Sequence, residues 1–291
     1  MRTDGPVVVA LDGSPHSAHT LEWGVAEAVR RRAAVLLVRV VDDAWQTMAW
    51  SWYPVIGNGD VDAEVEEYLT AQRTLVAELH PGLPVRVRVL HGQVVPALRE
   101  LSADAQLLVV GARPRYGRTR TGVTGSHVAA HARCAVAVVR TDVDHPLQPD
   151  APVVVGVDGS SASLAAARVA AREGWMRGRP LVVVHARPTI PDPFGTGSVP
   201  PLATADENDP THKAAHVVAD ALRDENPGLD VSLALVDDHP ADALIGLGRG
   251  AALLVVGSRG LGGFRGMLLG SISSAVVREC TCPVLVVHDQ G

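Results

Sequence analysis

Short apolar runs alternate with longer amphipathic stretches along this chain, most clearly in its second half. Runs of Val, Leu and Ile predict strands over residues 152–158, 181–186, 230–236, 252–257 and 284–288. The runs are continuous rather than alternating, as strands covered on both faces require. Helical spacing predicts helices over 161–177, 206–224, 240–248 and 271–279. Ser160 stands where an N-cap belongs, and Leu164, Ala167 and Ala171 share an apolar face. Strand–helix alternation with right-handed crossovers predicts a doubly wound α/β fold, a parallel sheet with helices on both faces. Ligands of such sheets sit beyond the carboxyl ends of the strands.

The same pattern occurs twice. Val7-Val8-Val9-Ala10-Leu11-Asp12-Gly13-Ser14 recurs 146 residues on as Val153-Val154-Val155-Gly156-Val157-Asp158-Gly159-Ser160. Leu107-Leu108-Val109-Val110-Gly111 recurs at the same offset as Leu253-Leu254-Val255-Val256-Gly257. Near the ends, Cys134-Ala135-Val136-Ala137-Val138-Val139 matches Cys282-Pro283-Val284-Leu285-Val286-Val287. A period this long is a duplicated domain rather than a solenoid unit. The chain therefore divides into domains over 1–142 and 151–291, and residues 141–150, with Pro146 and Pro149, read as the linker.

Composition narrows the function classes. With 291 residues, 47% of them apolar, either half can bury a core of its own. The net charge of −6 argues against sequence-independent nucleic-acid binding, which needs cationic surface. No apolar run reaches the roughly 20 residues that span a bilayer, and the first residues run straight into a strand, so no membrane segment or secretion signal is expected. Three cysteines make no disulfide framework, which points to the cytoplasm. Cys280-Thr281-Cys282 has the wrong spacing for a redox or zinc pair and reads as buried small side chains beside a strand. Residues 42–60, with Trp45, Trp50, Trp52 and Tyr53, and residues 187–205 read as loops packed onto their domains, with flaps over a site as the alternative.

The candidate chemistry lies between residues 257 and 271. Gly257-Ser258-Arg259-Gly260-Leu261-Gly262-Gly263-Phe264-Arg265-Gly266-Met267-Leu268-Leu269-Gly270-Ser271 joins the fourth strand of the second half to its last helix. Glycines permit positive φ and let an anion approach backbone N–H groups. The helix start adds free donors and partial positive charge. Ser271 and Ser273 offer hydroxyls and Arg259 offers charge. Asp158, at the end of the first strand, suits ribose hydroxyls or Mg²⁺, and equally suits a turn in Asp158-Gly159-Ser160. The spacing is neither a dinucleotide fingerprint nor a P-loop. His185, His216 and His239 stand beside no nucleophile, so no catalytic residue is assigned.

Gly257-x2-Gly260-x9-Gly270-Ser271 and its flanking strands resemble the ATP-binding pattern of the universal stress protein family, and the resemblance covers both halves. It implies two tandem five-stranded parallel sheets of order 3-2-1-4-5. It implies that Gly156, Asp158 and the backbone near Ala186 flank adenosine, while Gly257, Gly260, Gly270, Ser271 and Ser273 hold phosphates. Ser258, Arg259, Leu261, Gly262, Gly263 and Ile272 complete the loop side. It further implies ATP, with or without Mg²⁺, as ligand, and a nucleotide-dependent regulator or sensor in stress response. Pairing through the final strands is implied too, between the two domains or between copies. A slow ATPase or phosphotransferase and a nucleotide-independent interaction module are the alternatives.

The first half departs from this pattern. Pro114 stands where Gly260 stands in the second half, and Ala10 replaces Gly156. The third glycine aligns either with Gly125, followed by Ser126, or with Gly122. Asp12, Gly111, Arg113 and the neighbouring Arg115, Arg118 and Arg120 remain, so an impaired nucleotide site is expected, with a solvated basic loop as the bland alternative.

Overall fold

The central strand of each sheet is short and carries no polar side chain, as a strand flanked on both sides and covered on both faces requires. In the computed structural model these strands are β1 (Val7–Ala10) and β6 (Val153–Gly156), with every Val at most 1% exposed. The structure describes residues 4–42, 61–112, 123–140, 148, 150–187, 210–262 and 268–289. The chain divides into two units, residues 1–142 and 143–291.

In the first unit, α1 (Ser17–Arg31), β2 (Val35–Val41), α2 (Val61–Leu79), β3 (Val85–His91), α3 (Val94–Leu101), β4 (Leu107–Ala112), α4 (Val123–His131) and β5 (Ala135–Arg140) follow β1. All pairings are parallel, in the order β3-β2-β1-β4-β5. In the second unit, α5 (Ser161–Arg177), β7 (Leu181–Arg187), α6 (Pro210–Glu225), β8 (Val231–Asp237), α7 (Pro240–Gly248), β9 (Leu253–Gly257), α8 (Ser271–Glu279) and β10 (Val284–Val287) follow β6. Its order is β8-β7-β6-β9-β10, again parallel throughout. Each unit is thus the expected five-stranded sheet of order 3-2-1-4-5.

Helices lie on both faces, as neighbouring side chains show. A Cβ placed on Gly156 of β6 would lie 2.9 Å from Leu244 of α7. One placed on Gly257 of β9 would lie 2.8 Å from the backbone of Ala162 in α5. Gly257 falls two residues past Val255, the register partner of Val155, so Gly257 and Gly156 face opposite sides. α5 approaches closely because its buried face is Ala162, Ala166, Ala167, Ala170 and Ala171. Leu164, expected on that face, is only half-buried. Ser160 caps α5 as expected, its Oγ accepting the Ser163 N–H at 3.2 Å. Gly178 ends the helix in the left-handed region at φ 60°.

Helices predicted over 161–177, 240–248 and 271–279 appear with those bounds. The one predicted over 206–224 runs from Pro210 to Glu225, and residues 206–209 lie outside the described residues. So do 43–60 and 188–205, including Trp45, Trp50, Trp52 and Tyr53. Each unit also buries an ion pair on its first helix that sequence reading did not single out. Glu27, 0% exposed, bonds Arg31 at 3.1 Å, and Glu173 pairs with Arg177 at the equivalent place. All three cysteines are buried and in no disulfide, with Cys280 and Cys282 Sγ atoms 3.3 Å apart. No helix among the described residues is long and apolar enough to cross a membrane.

Candidate functional site

Past the end of β6 the chain turns at Asp158-Gly159-Ser160, with Gly159 at φ 86°. Asp158 Oδ1 accepts the Ser160 N–H at 3.0 Å and the Ser160 hydroxyl at 2.6 Å. Its Oδ2 accepts the Leu261 N–H at 2.9 Å, from a loop 103 residues further on. The residue is therefore both the turn former and a tether for the glycine-rich loop. Burial pushes its carboxyl up, but bonds from the Ser160 hydroxyl and N–H, from Leu261 and from Ser163 outweigh burial. The carboxyl sits below its ordinary 3.8.

The tether explains the glycine spacing. A Cβ on Gly260 would collide with Asp158 Oδ2. Gly257 is needed because the Ala162 backbone presses against it. The expected positive φ does not occur: none of Gly257, Gly260, Gly262 or Gly270 is among the positive-φ glycines. Close approach, not left-handed backbone, is what Gly257 and Gly260 supply.

The far end of the loop is fastened by its backbone. Ser258 N–H donates to the Val287 carbonyl at 2.7 Å, and Gly270 N–H donates to the Ser258 carbonyl at 2.7 Å. Gly270 is the N-cap of α8 and provides no side-chain cap. The first N–H groups of α8 thus form an uncapped, partly positive helix end. Ser273 is buried and its hydroxyl donates to the Gly257 carbonyl at 2.6 Å, holding α8 against β9 rather than presenting a donor to ligand. This changes the part expected of Ser273.

These pieces enclose a cavity of about 440 Å³ at the carboxyl ends of the strands. Gly156, Asp158 and Ala186 line its strand side. Gly257, Arg259, Gly260, Leu261, Gly262, Gly270, Ser271, Ile272 and Ser273 line its loop and helix side. Ser258, 2% exposed, is not in the lining and supports the wall from behind. Gly263 lies outside the described residues. Sequence reading missed Val157, Ser163, Val184, Pro240, Leu244 and Val256. The signal for Pro240 and Leu244 was available: α7 follows β8, so its first turns open on the crevice beyond the strand ends. His185 sits behind the wall, Nδ1 2.9 Å from the Val157 carbonyl and edge-on to His212, while His216 and His239 are exposed and outside the lining. Among the described residues no group of three or more His, Cys, Asp or Glu is placed to hold a metal.

The first unit has a cavity of about 300 Å³ at the equivalent place, lined by Ala10, Asp12, Gly111 and Gly125 among others. Asp12 Oδ1 accepts the Ser14 N–H at 3.0 Å and the Ser17 hydroxyl at 2.8 Å, repeating the turn of Asp158. Helix α4 is described from Val123, and the alignment through Cys134 sets Gly122 against Gly270. Gly125 and Ser126 both lie inside this helix, which favours the alignment through Gly122 over the one through Gly125 and Ser126. Val123 and Gly125 accordingly stand where Ser271 and Ser273 stand, and the hydroxyl that clamps α8 has no equivalent. Ser126 does not line the cavity, and its Oγ is buried without a hydrogen-bond partner. Gly122 and Arg113, like residues 113–122 as a whole, lie outside the described residues.

A model of the universal stress protein family matches residues 5–140 and again 151–288. Universal stress protein Mb2019 of Mycobacterium bovis is 34% identical over 302 aligned positions, covering 98% of this chain and 95% of that protein. Universal stress protein Rv2005c of Mycobacterium tuberculosis is 33% identical, covering 96% of each. A crystal structure of a universal stress protein from Archaeoglobus fulgidus superposes with a TM-score of 0.69 over 98% of this chain and 97% of that one, at 18% identity. The chain belongs to the universal stress protein family and carries two of its domains in tandem.

Proposed function

We propose that the second unit binds an adenine nucleotide, ATP foremost, and that occupancy makes the chain a nucleotide-dependent regulator in stress response. The observation that carries this reading is the uncapped start of α8 opening, with Gly270 and Ser271, onto a cavity of about 440 Å³. That volume lies within the roughly 300–1,000 Å³ of small-molecule sites. The apolar wall of Val157, Val184 and Leu244 suits a purine face, and the helix end with Arg259 suits phosphates. Magnesium fits only as a companion of those phosphates. Asp158 is the single carboxylate among the described lining residues, and its oxygens already accept from Ser160 and Leu261.

Binding without fast turnover is part of the reading. Asp158 and Arg259 are the titratable side chains in the described lining, and Asp158 is held ionised by its donors rather than poised as a base. The buried reduced thiols favour the cytoplasm as the compartment. Association of copies through the apolar final strands is proposed as well, to be read by light scattering. Calorimetry on nucleotide-free protein tests the central reading with ATP, AMP and cyclic AMP, each with and without Mg²⁺. Saturable heat with ATP is expected, and no binding at millimolar ATP overturns it.

A further inference from the structure

We propose that the first unit carries a separate anion-binding site at the amino-terminal end of its sheet, built from Arg32, Arg86 and Arg88 and suited to a phosphate-bearing small molecule. It does not depend on the nucleotide reading of the second unit, because it lies at the opposite end of the strands.

A concave cavity of about 560 Å³ opens there, lined by these three arginines together with Arg31, Asp4 and Asp104. Arg31 is already committed to the buried Glu27 carboxylate. Arg32, Arg86 and Arg88 are exposed, and among the described residues their guanidiniums have no hydrogen-bond or ion-pair partner. Arg86 and Arg88 are two apart on the edge strand β3 and therefore share one face. Arg86 pairs in register with Leu36, which pairs with Val8, so that face continues across β2 to β1. Arg32 approaches from the end of α1, three residues before β2.

Placing Arg32 there is costly. It is the only non-glycine residue with positive φ among the described residues, at φ 51°. The second unit uses Gly178 at the equivalent helix end, at φ 60°, as left-handed backbone favours. Where the first unit has Arg86 and Arg88, the second has Ser232 and Ala234. Three like charges thus gather in one twin, one of them on strained backbone, and neither strain nor mutual repulsion helps the fold. Guanidinium forks hold phosphate oxygens by paired, charge-assisted hydrogen bonds, which offset both costs when an anion is bound. Asp4 and Asp104 line the same cavity and confine the positive end to the α1–β2–β3 side. A compact ligand suits that arrangement, whereas a long polyanion does not.

Heteronuclear NMR on the full chain, titrated with inorganic pyrophosphate, tests the site. The amides of residues 32–36 and 85–89 report on it separately from those of 257–271. Saturable shifts are expected at the former, weakened about tenfold by Arg32→Gly and further by Arg86→Ser with Arg88→Ala. Arg32→Gly relieves backbone strain, so its Tm is expected to equal or exceed that of the parent. Absence of saturation at millimolar pyrophosphate overturns the proposal. So do the same shifts produced by sodium chloride at matched ionic strength, or undiminished binding in the three-arginine variant.

Discussion

Asp158 joins two segments that sequence alone does not connect. Its place after the first strand was legible, and so was its fitness for a turn. The bond from Leu261 N–H was not, because a side chain reaching 103 residues along the chain leaves no periodic trace. Asp158→Asn keeps the size and loses charge-assisted acceptance, so ATP affinity is expected to fall about tenfold by calorimetry. The carboxyl is depressed in the folded state, so its stabilising contribution is full above the unfolded value. It is lost as pH falls through the folded value, which lies below 3.8. The gap in urea midpoint between parent and Asp158→Asn should therefore be wide at neutral pH and close on acidification. A gap independent of pH contradicts the tether. The cysteines belong to this scale too. Burial pushes the Cys134 thiol up to about 12, and the Cys280 contact with burial raises Cys282 well above the usual thiol range. A disulfide-exchange reagent at pH 8 should label the native protein slowly and all three thiols at once on unfolding. Rapid labelling of the native chain contradicts their placement.

Elements were more legible than side-chain pairings. α5, α7 and α8 appear with the expected bounds because caps or Pro mark their starts and apolar runs bound them: Ser160 before α5, Pro240 opening α7, Gly270 before α8. The first-unit loop was ambiguous because two Gly-containing pairs compete for one helix start. The place of Gly125 and Ser126 inside α4 weighs against one of them. Of the two reasons read for the loop glycines, positive φ does not hold at the described ones, and Gly257 and Gly260 are instead required by close packing, which leaves the same residue in the sequence. Close approach makes a specific demand on the packing of β9 against α5. Gly257→Ala forces the Ala162 backbone away and is expected to cost about 1–3 kcal/mol in chemical denaturation. Ser273→Ala removes the clamp from α8 to β9 and leaves the Gly257 carbonyl unsatisfied, at about 1–3 kcal/mol. If Ser273 acted only as a phosphate donor, its loss would lower ATP affinity and leave stability unchanged.

The whole molecule is a duplication whose copies have diverged at both ends of their sheets. At the carboxyl ends, the second copy keeps Gly156, Gly260, Ser271 and Ser273, while the first has Ala10, Pro114, Val123 and Gly125 at those places. At the amino ends, the first copy has Arg32, Arg86 and Arg88 where the second has Gly178, Ser232 and Ala234. The duplication was legible from its offset, and the loss at the carboxyl end from Pro114 and Ala10. The arginine cluster was not, because β2, β3 and the end of α1 come together only in the fold. Calorimetric stoichiometry with ATP tests the asymmetry most directly. One nucleotide per chain is expected, abolished by Gly270→Val and retained in Gly122→Val. Two nucleotides per chain, or equal losses from the two substitutions, contradict it.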